Sequence, residues 1–205
     1  MQATSRKQGG RPGRAHGWRA AGDRGMACRF PRGFTIVELM ITVAMAAILL
    51  VIAVPSFRNI TLTNKLNTTT NGLVNAINVA RMEAIKRNSS TQFCSNSTDA
   101  NTGDTLGGAC GIEIGAVWAL NGDEASQVLA GQIDLVSPLR LNGDMTALRF
   151  TAQGWAQQAG TSTPFGDQVA DICTSQMSQD NHRVITMRAG SILATTTRSG
   201  ACPPP

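Results

Sequence analysis

The chain has 205 residues, of which 15% are charged and 4% aromatic, with no Tyr. That length holds one modest domain plus an appendage, and the composition fits a small β-rich surface domain better than an acid/base enzyme. The net charge of +5 is concentrated at one end. Residues 1 to 33 hold eight Lys/Arg and one acid, and the ten bases and twelve acids that remain leave the rest of the chain at −2, too little positive charge to hold nucleic acid in bulk.

The chain opens on a Gly/Arg-rich segment whose composition is that of a disordered tract. Residues 34–54, FTIVELMITVAMAAILLVIAV, follow with Glu38 as their only charge. As a helix this stretch is about 31 Å long, the hydrocarbon thickness of a bilayer. The basic residues before it favour an N-terminus in the cytoplasm. The run is too long for the core of a cleaved secretory signal, and no small-residue cleavage site follows it. Glu38 is the anomaly. An acid inside a membrane span is costly and marks a function with a partner. No Lys or Arg lies within the span, so the nearest cation in reach is the α-amino group that a cut between Gly33 and Phe34 would create.

Arg32-Gly33-Phe34-Thr35-Ile36-Val37-Glu38-Leu39 resembles the type III signal of type IV prepilins and type II secretion pseudopilins. The resemblance implies that prepilin peptidase cuts after Gly33 on the cytoplasmic face and methylates Phe34 as the new N-terminus. It implies that Glu38 pairs with the terminal amine of a neighbouring subunit during filament assembly, and Thr35 matches the polar residue common beside Phe34. Such leaders are often short. Met26 offers a start that would leave an eight-residue basic leader, MACRFPRG, and place residues 1–25 outside the translated chain. A carboxylate and an amine attract far more strongly in a low-dielectric filament core than in water. Each alone would be a buried unpaired charge, so the pair also sets register between subunits.

Pro55 is expected to kink or break the helix. From Ser56 to about Ser89 the chain reads as an amphipathic helix, with a stripe of Phe57, Ile60, Leu62, Leu66, Leu73, Ile77, Ala80, Ala84 and Ile85, weakened locally by Gly72. Arg81, Glu83, Lys86 and Arg87 read as its solvated face. From Thr91 the pattern changes to short alternating runs, predicting strands near 91–95, 112–120, 127–135, 145–151, 168–174, 182–189 and 191–197. The insert SNSTDANTGDTLGGA reads as a surface loop pinned by Cys94 and Cys110. Asn121-Gly122-Asp123 and Asn142-Gly143-Asp144 read as turns. Trp118 and Trp155 read as packing residues and Pro203-Pro204-Pro205 as an extended tail. The chain thus divides into a leader (1–33), a span (34–54), a continuing helix (55–90) and a β-rich domain (91–205).

Cysteine usage follows the same division. Cys28 lies in the leader, and Cys94, Cys110, Cys173 and Cys202 lie beyond the span. An even set past a membrane segment suggests two disulfides in an oxidising compartment such as a bacterial periplasm. Three pairings are open, of which Cys94 with Cys110 and Cys173 with Cys202 is the simplest. No metal site is expected, because no C-x-x-C pair occurs and His182 is the one histidine past the leader. Catalysis is not expected either. No nucleophile motif is present, and Asp123 and Glu124 sit together in a turn.

VWALNG, LRFTAQGWAQ with its central Gly154, and HRVITMRAGSILATTTRSGAC resemble the GspH/FimT pseudopilins, extending the resemblance over residues 26–202. It implies an α+β, pilin-like fold, with a long N-terminal, partly transmembrane helix packed on a C-terminal antiparallel β-sheet or sandwich. It implies a non-catalytic subunit without cofactor or small-molecule substrate, anchored once in a bacterial inner membrane with its C-terminal domain periplasmic. Its partners would be other major and minor pilins and prepilin peptidase, and its place a filament, at low abundance and near the tip. Minor pilins of the FimU/FimT type often carry such disulfides, which favours a type IV pilus over the alternative, pseudopilin H of type II secretion. A further alternative is a DNA-uptake pilin. Some FimT-type proteins bind DNA through arginines near a Gly in this hairpin, which here offers Arg183, Arg188 and Arg198. Ser191-Ile192-Leu193 stand after Gly190 where further arginines are expected.

Overall fold

The computed structural model describes residues 33–131 and 135–203. The leader before Gly33, with the Met26 start and Cys28, lies outside the described residues, as do residues 132–134 of the strand expected over 127–135 and the last two prolines. The chain divides into two units, one ending at Ala44 and the other running from Met45.

One helix, α1 (Ile36–Arg87), passes through that boundary. Up to Val54 its apolar side chains are exposed all round, and it is long and apolar enough to cross a membrane. Pro55 does not break it. A proline removes one rung of the i→i−4 ladder, and a helix of 52 residues absorbs that single loss. Further along, Leu62, Leu66, Thr70, Leu73, Ala76, Ile77, Ala80 and Ala84 are buried. Their spacing of three and four places them on one face. Ala76, Ala80 and Ala84 are small, which lets the sheets come close. Contrary to the predicted stripe, Phe57 and Ile60 stay exposed because the domain begins to cover the helix only at Leu62, and Ile85 stays half exposed at the margin of the buried face, beside Gly154. The helix stops at Asn88, whose φ is 50°. Asn88 N donates to Ile85 O and Ser89 N to Ala84 O, the paired bonds of a Schellman ending. Lys86 and Arg87 lie in the last turn, where the helix dipole favours cations, and both reach Glu83.

Among the described residues nine strands follow: β1 (Thr91–Phe93), β2 (Val117–Asn121), β3 (Glu124–Leu129), β4 (Leu139–Leu141), β5 (Leu148–Phe150), β6 (Ala156–Gln158), β7 (Gln168–Thr174), β8 (His182–Arg188) and β9 (Ile192–Arg198). They form a five-stranded sheet, β3-β2-β1-β5-β6, and a four-stranded sheet, β4-β7-β8-β9, antiparallel throughout. The α1 stripe shares one core with both sheets, meeting Phe93, Leu148 and Phe150 of the first and Ile172, Ile185 and Met187 of the second. This is the predicted α+β arrangement of a long N-terminal helix on antiparallel sheet.

Several local expectations are corrected. The insert after Cys94 is not a plain loop: it holds two short helices, α2 (Thr98–Asn101) and α3 (Thr105–Cys110). Asn101 organises it from a buried position, accepting from Ser95 N and donating to the carbonyls of Ser95 and Gly111. Gly107 is required there, since a Cβ would collide with the backbone oxygens of Asn101 and Thr102. Strands β4 and β6 have three residues each, too short to show alternation. β2 begins at Val117, because residues 111–115 turn back on the Cys94–Cys110 segment. Trp155 is 48% exposed and not a core residue.

Arg149 of β5 grips Asp104, the N-cap of α3, through both nitrogens at 2.6 and 2.9 Å, and also donates to Gln92. The Arg149 hydrogen bonds, helped by Gly107 N, lower the Asp104 pKa from 3.8 to about 2. A carboxyl whose folded pKa is depressed stabilises the fold above its unfolded pKa and loses that contribution as pH falls through its folded one. Stability should therefore decline between pH 3.8 and about 2 in part through Asp104. Asp104→Asn should flatten that part of an acid-denaturation curve. An unchanged acid slope in Asp104→Asn would count against the pair as the cause.

Candidate functional site

Gly33, Phe34 and Thr35 precede α1 without helical structure. Thr35 caps it: its Oγ1 accepts from Glu38 N at 3.2 Å, and its carbonyl accepts from Leu39 N at 3.1 Å. Thr35 and Glu38 have the T-x-x-E spacing of a capping box. Glu38 thus lies in the first turn, where free N–H groups and the helix dipole favour a carboxylate. A Cβ placed on Gly33 would meet nothing within 4 Å, so the fold itself makes no demand for glycine there. Phe34 is 77% exposed and the apolar residues that follow are exposed as well. Farther along, Thr42 returns its hydroxyl to Leu39 O at 2.9 Å, so it offers no unpaired donor to lipid.

In the domain, Cys94 is bonded to Cys110 and Cys173 to Cys202. The first bond closes the α2–α3 insert and packs against Trp118. The second ties the C-terminal segment to β7. That segment is also held by Asn181, which accepts from Gly200 N and donates to Gly200 O, and by Ser199 Oγ, which accepts from Asp180 N. Beneath it lies a pair that sequence reading missed. His182 Nδ1 sits 3.0 Å from both oxygens of buried Asp171, which also accepts from Asn142 Nδ2. Residues eleven apart on adjoining strands carry no linear motif. The only sequence signal was a lone histidine in a strand pattern. His182 Nε2 is buried against Gly200 without a hydrogen-bond partner among the described residues. The pair therefore ties β7 to β8 beneath this C-terminal strap, and with Nε2 buried it is not set up for proton transfer to a substrate.

The structure does not gather the three candidate arginines. Arg183 is buried and occupied, donating to Asn67 Oδ1 and to the carbonyls of Asp180 and His182. Arg188 and Arg198 stand at opposite ends of the β8–β9 hairpin, since Arg188 pairs with Ile192 and Arg198 with His182. Asp123 and Glu124 are exposed at the β2–β3 turn. Among the described residues no group of three metal-ligating side chains occurs.

A helix exposed and apolar at its start, capped beside an acid, and buried on one face against antiparallel sheets defines a type IV pilin-like protein. Residues 29–54 match the model of the prokaryotic N-terminal methylation motif, and residues 69–190, more than half of the chain, match the model of the type II transport protein GspH. The chain belongs to the GspH family. Comparison with curated proteins and with solved structures finds no match to it. Family and motif together make it a pilin or pseudopilin that is processed by prepilin peptidase and assembles with other pilins, and its apolar α1 fits a single-pass membrane anchor.

Cys173 and Cys202 lie 29 residues apart. In the chain-entropy picture their bond stabilises by about 3.6 kcal/mol. Replacing both by Ser should lower stability by about that amount and release the strap. Denaturant titration and limited proteolysis after residue 198 would measure it. A double variant as stable and as protease-resistant as the parent would show the bond to be redundant.

Proposed function

We propose that the chain is a non-catalytic minor pilin of a type IV pilus. In this reading residues 1–33 are a cytoplasmic leader and residues 34–54 the span. Residues 55–90 continue the helix, and residues 91–205 form the domain on the periplasmic side of the inner membrane. Prepilin peptidase cuts between Gly33 and Phe34, and Phe34 is methylated. Glu38 then meets the terminal amine of a neighbouring subunit. The observation that carries this is the Thr35-capped start of α1, which holds the Glu38 carboxylate in the first turn of an otherwise apolar, exposed helix. A carboxylate left alone there would be costly in hydrocarbon, and a neighbour's amine offsets that cost. The two disulfides and the FimU/FimT resemblance support a pilus. The family description, a type II transport protein, favours the second reading, pseudopilin H of a secretion system. Deleting the gene separates the two: loss of surface pili with secretion intact supports the first, and the reverse supports the second.

Gly33 occupies open space, so Gly33→Ala should leave the fold unchanged while blocking cleavage. Glu38→Ala should be cleaved normally and fail to assemble, with incorporation reduced at least about tenfold if the buried ion pair contributes more than 1.4 kcal/mol. Immunoblots of membranes for the leader-bearing form, and of sheared filaments for the mature form, read both. Normal incorporation of Glu38→Ala would remove the role given to that carboxylate.

A further inference from the structure

We propose that β9 is a docking edge that accepts an extended strand from a different pilin-family subunit. Hydrogen-bond alternation defines what the edge offers. Thr174 N donates to Asn181 O and Met187 N to Asp167 O, so the odd-numbered residues of β8 face β7. His182, Val184, Thr186 and Arg188 therefore face β9, where they pair with Arg198, Thr196, Ala194 and Ile192. Thr186 Oγ1 donating to Ala194 O is consistent with that phase. Leu193, Thr195 and Thr197 are left with their N–H and C=O groups pointing outward, and none of these groups bonds elsewhere among the described residues. The strand is seven residues long and pairs with β8 without a register shift, and every residue but half-buried Leu193 is exposed.

The other sheet edges are blunted in the ways proteins use against stray pairing. β4 has three residues and follows Pro138, β6 has three and is bridged by Pro164, and the pairing of β3 is interrupted by a bulge at Val117/Trp118. β9 has no proline, no lysine and no bulge. A row of free backbone groups on a flat strand is completed by another strand, with alternate side chains setting specificity. A second copy of this chain is the poorer occupant. Antiparallel pairing of β9 with itself sets Arg198 of one copy opposite Ile192 of the other, about 10 Å from that copy's Arg188, and neither β8 nor β9 carries an acid to offset them. The fitting partner is a β-branched segment of another subunit with a carboxylate facing Arg198.

The proposal rests on the filament-subunit reading, and its test separates the two. In the full chain, in its own membrane, p-benzoylphenylalanine at Thr195 should cross-link on irradiation to a protein that carries its own N-terminal methylation motif. The same group at exposed Asp123 should not. Thr195→Pro removes an outward N–H and no β8 bond, so the protein should accumulate and form its disulfides normally. Its co-purification with that subunit should fall about tenfold. Thr195→Lys keeps the backbone intact and should act in the same direction. No adduct from Thr195, an adduct only with a second copy of this chain, or wild-type co-purification of both variants overturns the proposal. If Glu38→Ala blocks assembly while the Thr195 variants behave as wild type, the edge alone is wrong. If the parent chain is absent from sheared filaments altogether, the subunit reading beneath it fails.

Discussion

In hydrocarbon an unpaired N–H or C=O group costs several kcal/mol, and that constraint dictates the character of α1. A continuous helix satisfies its backbone internally, so the apolar segment can lie in lipid before assembly and against other helices afterwards. The polar groups it retains are those the helix can use. Thr35 caps the first turn, Thr42 bonds back to Leu39, and Glu38 sits where the helix dipole favours a carboxylate. In the reading proposed above, a cation from outside the chain completes the Glu38 carboxylate.

The same helix must also hold a folded domain, and it does so with a different surface. From Leu62 onward a single stripe is buried, and the rest faces water. The alanines at 76, 80 and 84 trade side-chain bulk for close approach, while Leu66, Leu73 and Ile77 supply apolar area. Polar ties then fix the packing. Arg183 reaches from β8 to Asn67 on the helix, and Arg81 lies over the Phe150 ring, 5.5 Å from its centre, with a bond to Gly190 O. Burial lowers the pKa of Arg81, and the aromatic face and the carbonyl compensate part of the lost hydration. With so few aromatic residues, the domain uses two disulfides to hold the α2–α3 insert and the C-terminal strap.

What was legible in the sequence follows from the range of the interactions. The span, Glu38 and the Gly33-Phe34 junction could be read because their signal is local: composition, one charge and a few residues of fixed spacing. β7, β8 and β9 were placed nearly to the residue because each is seven residues long and bounded by polar or glycine-containing turns. β4 and β6 were missed because three residues carry no period, β1 and β5 being found at the same length only inside longer predicted runs, and the helices of the insert because its Asn, Gly and Asp content imitates a loop. There Asn101 replaces solvent as hydrogen-bond partner for the turn. Contacts between distant residues left no linear trace. The sequence offered Arg183 as a surface cation, yet its partners lie on α1 and on its own strand's entry. The pairing of His182 with Asp171 depends on the β7–β8 register, which no single strand reveals.

The exposed start of α1 and the β9 edge differ in what they specify. Apolar helix packing supplies area without direction, because lipid tails and neighbouring helices are equally apolar. In the proposed reading a single ion pair at Glu38 would set how far one subunit slides along another, but it would leave partner choice open, since every subunit with a free terminal amine presents the same cation. A strand edge has the opposite character. Its hydrogen bonds repeat every second residue, so a slip by one residue turns the added strand's side chains to the wrong face, and its end charge selects the chain that docks. A subunit present in few copies needs that second kind of contact more than an abundant one does, because it must be recognised among many similar helices. An unblunted β9 beside three blunted edges is what such a requirement would leave in the structure.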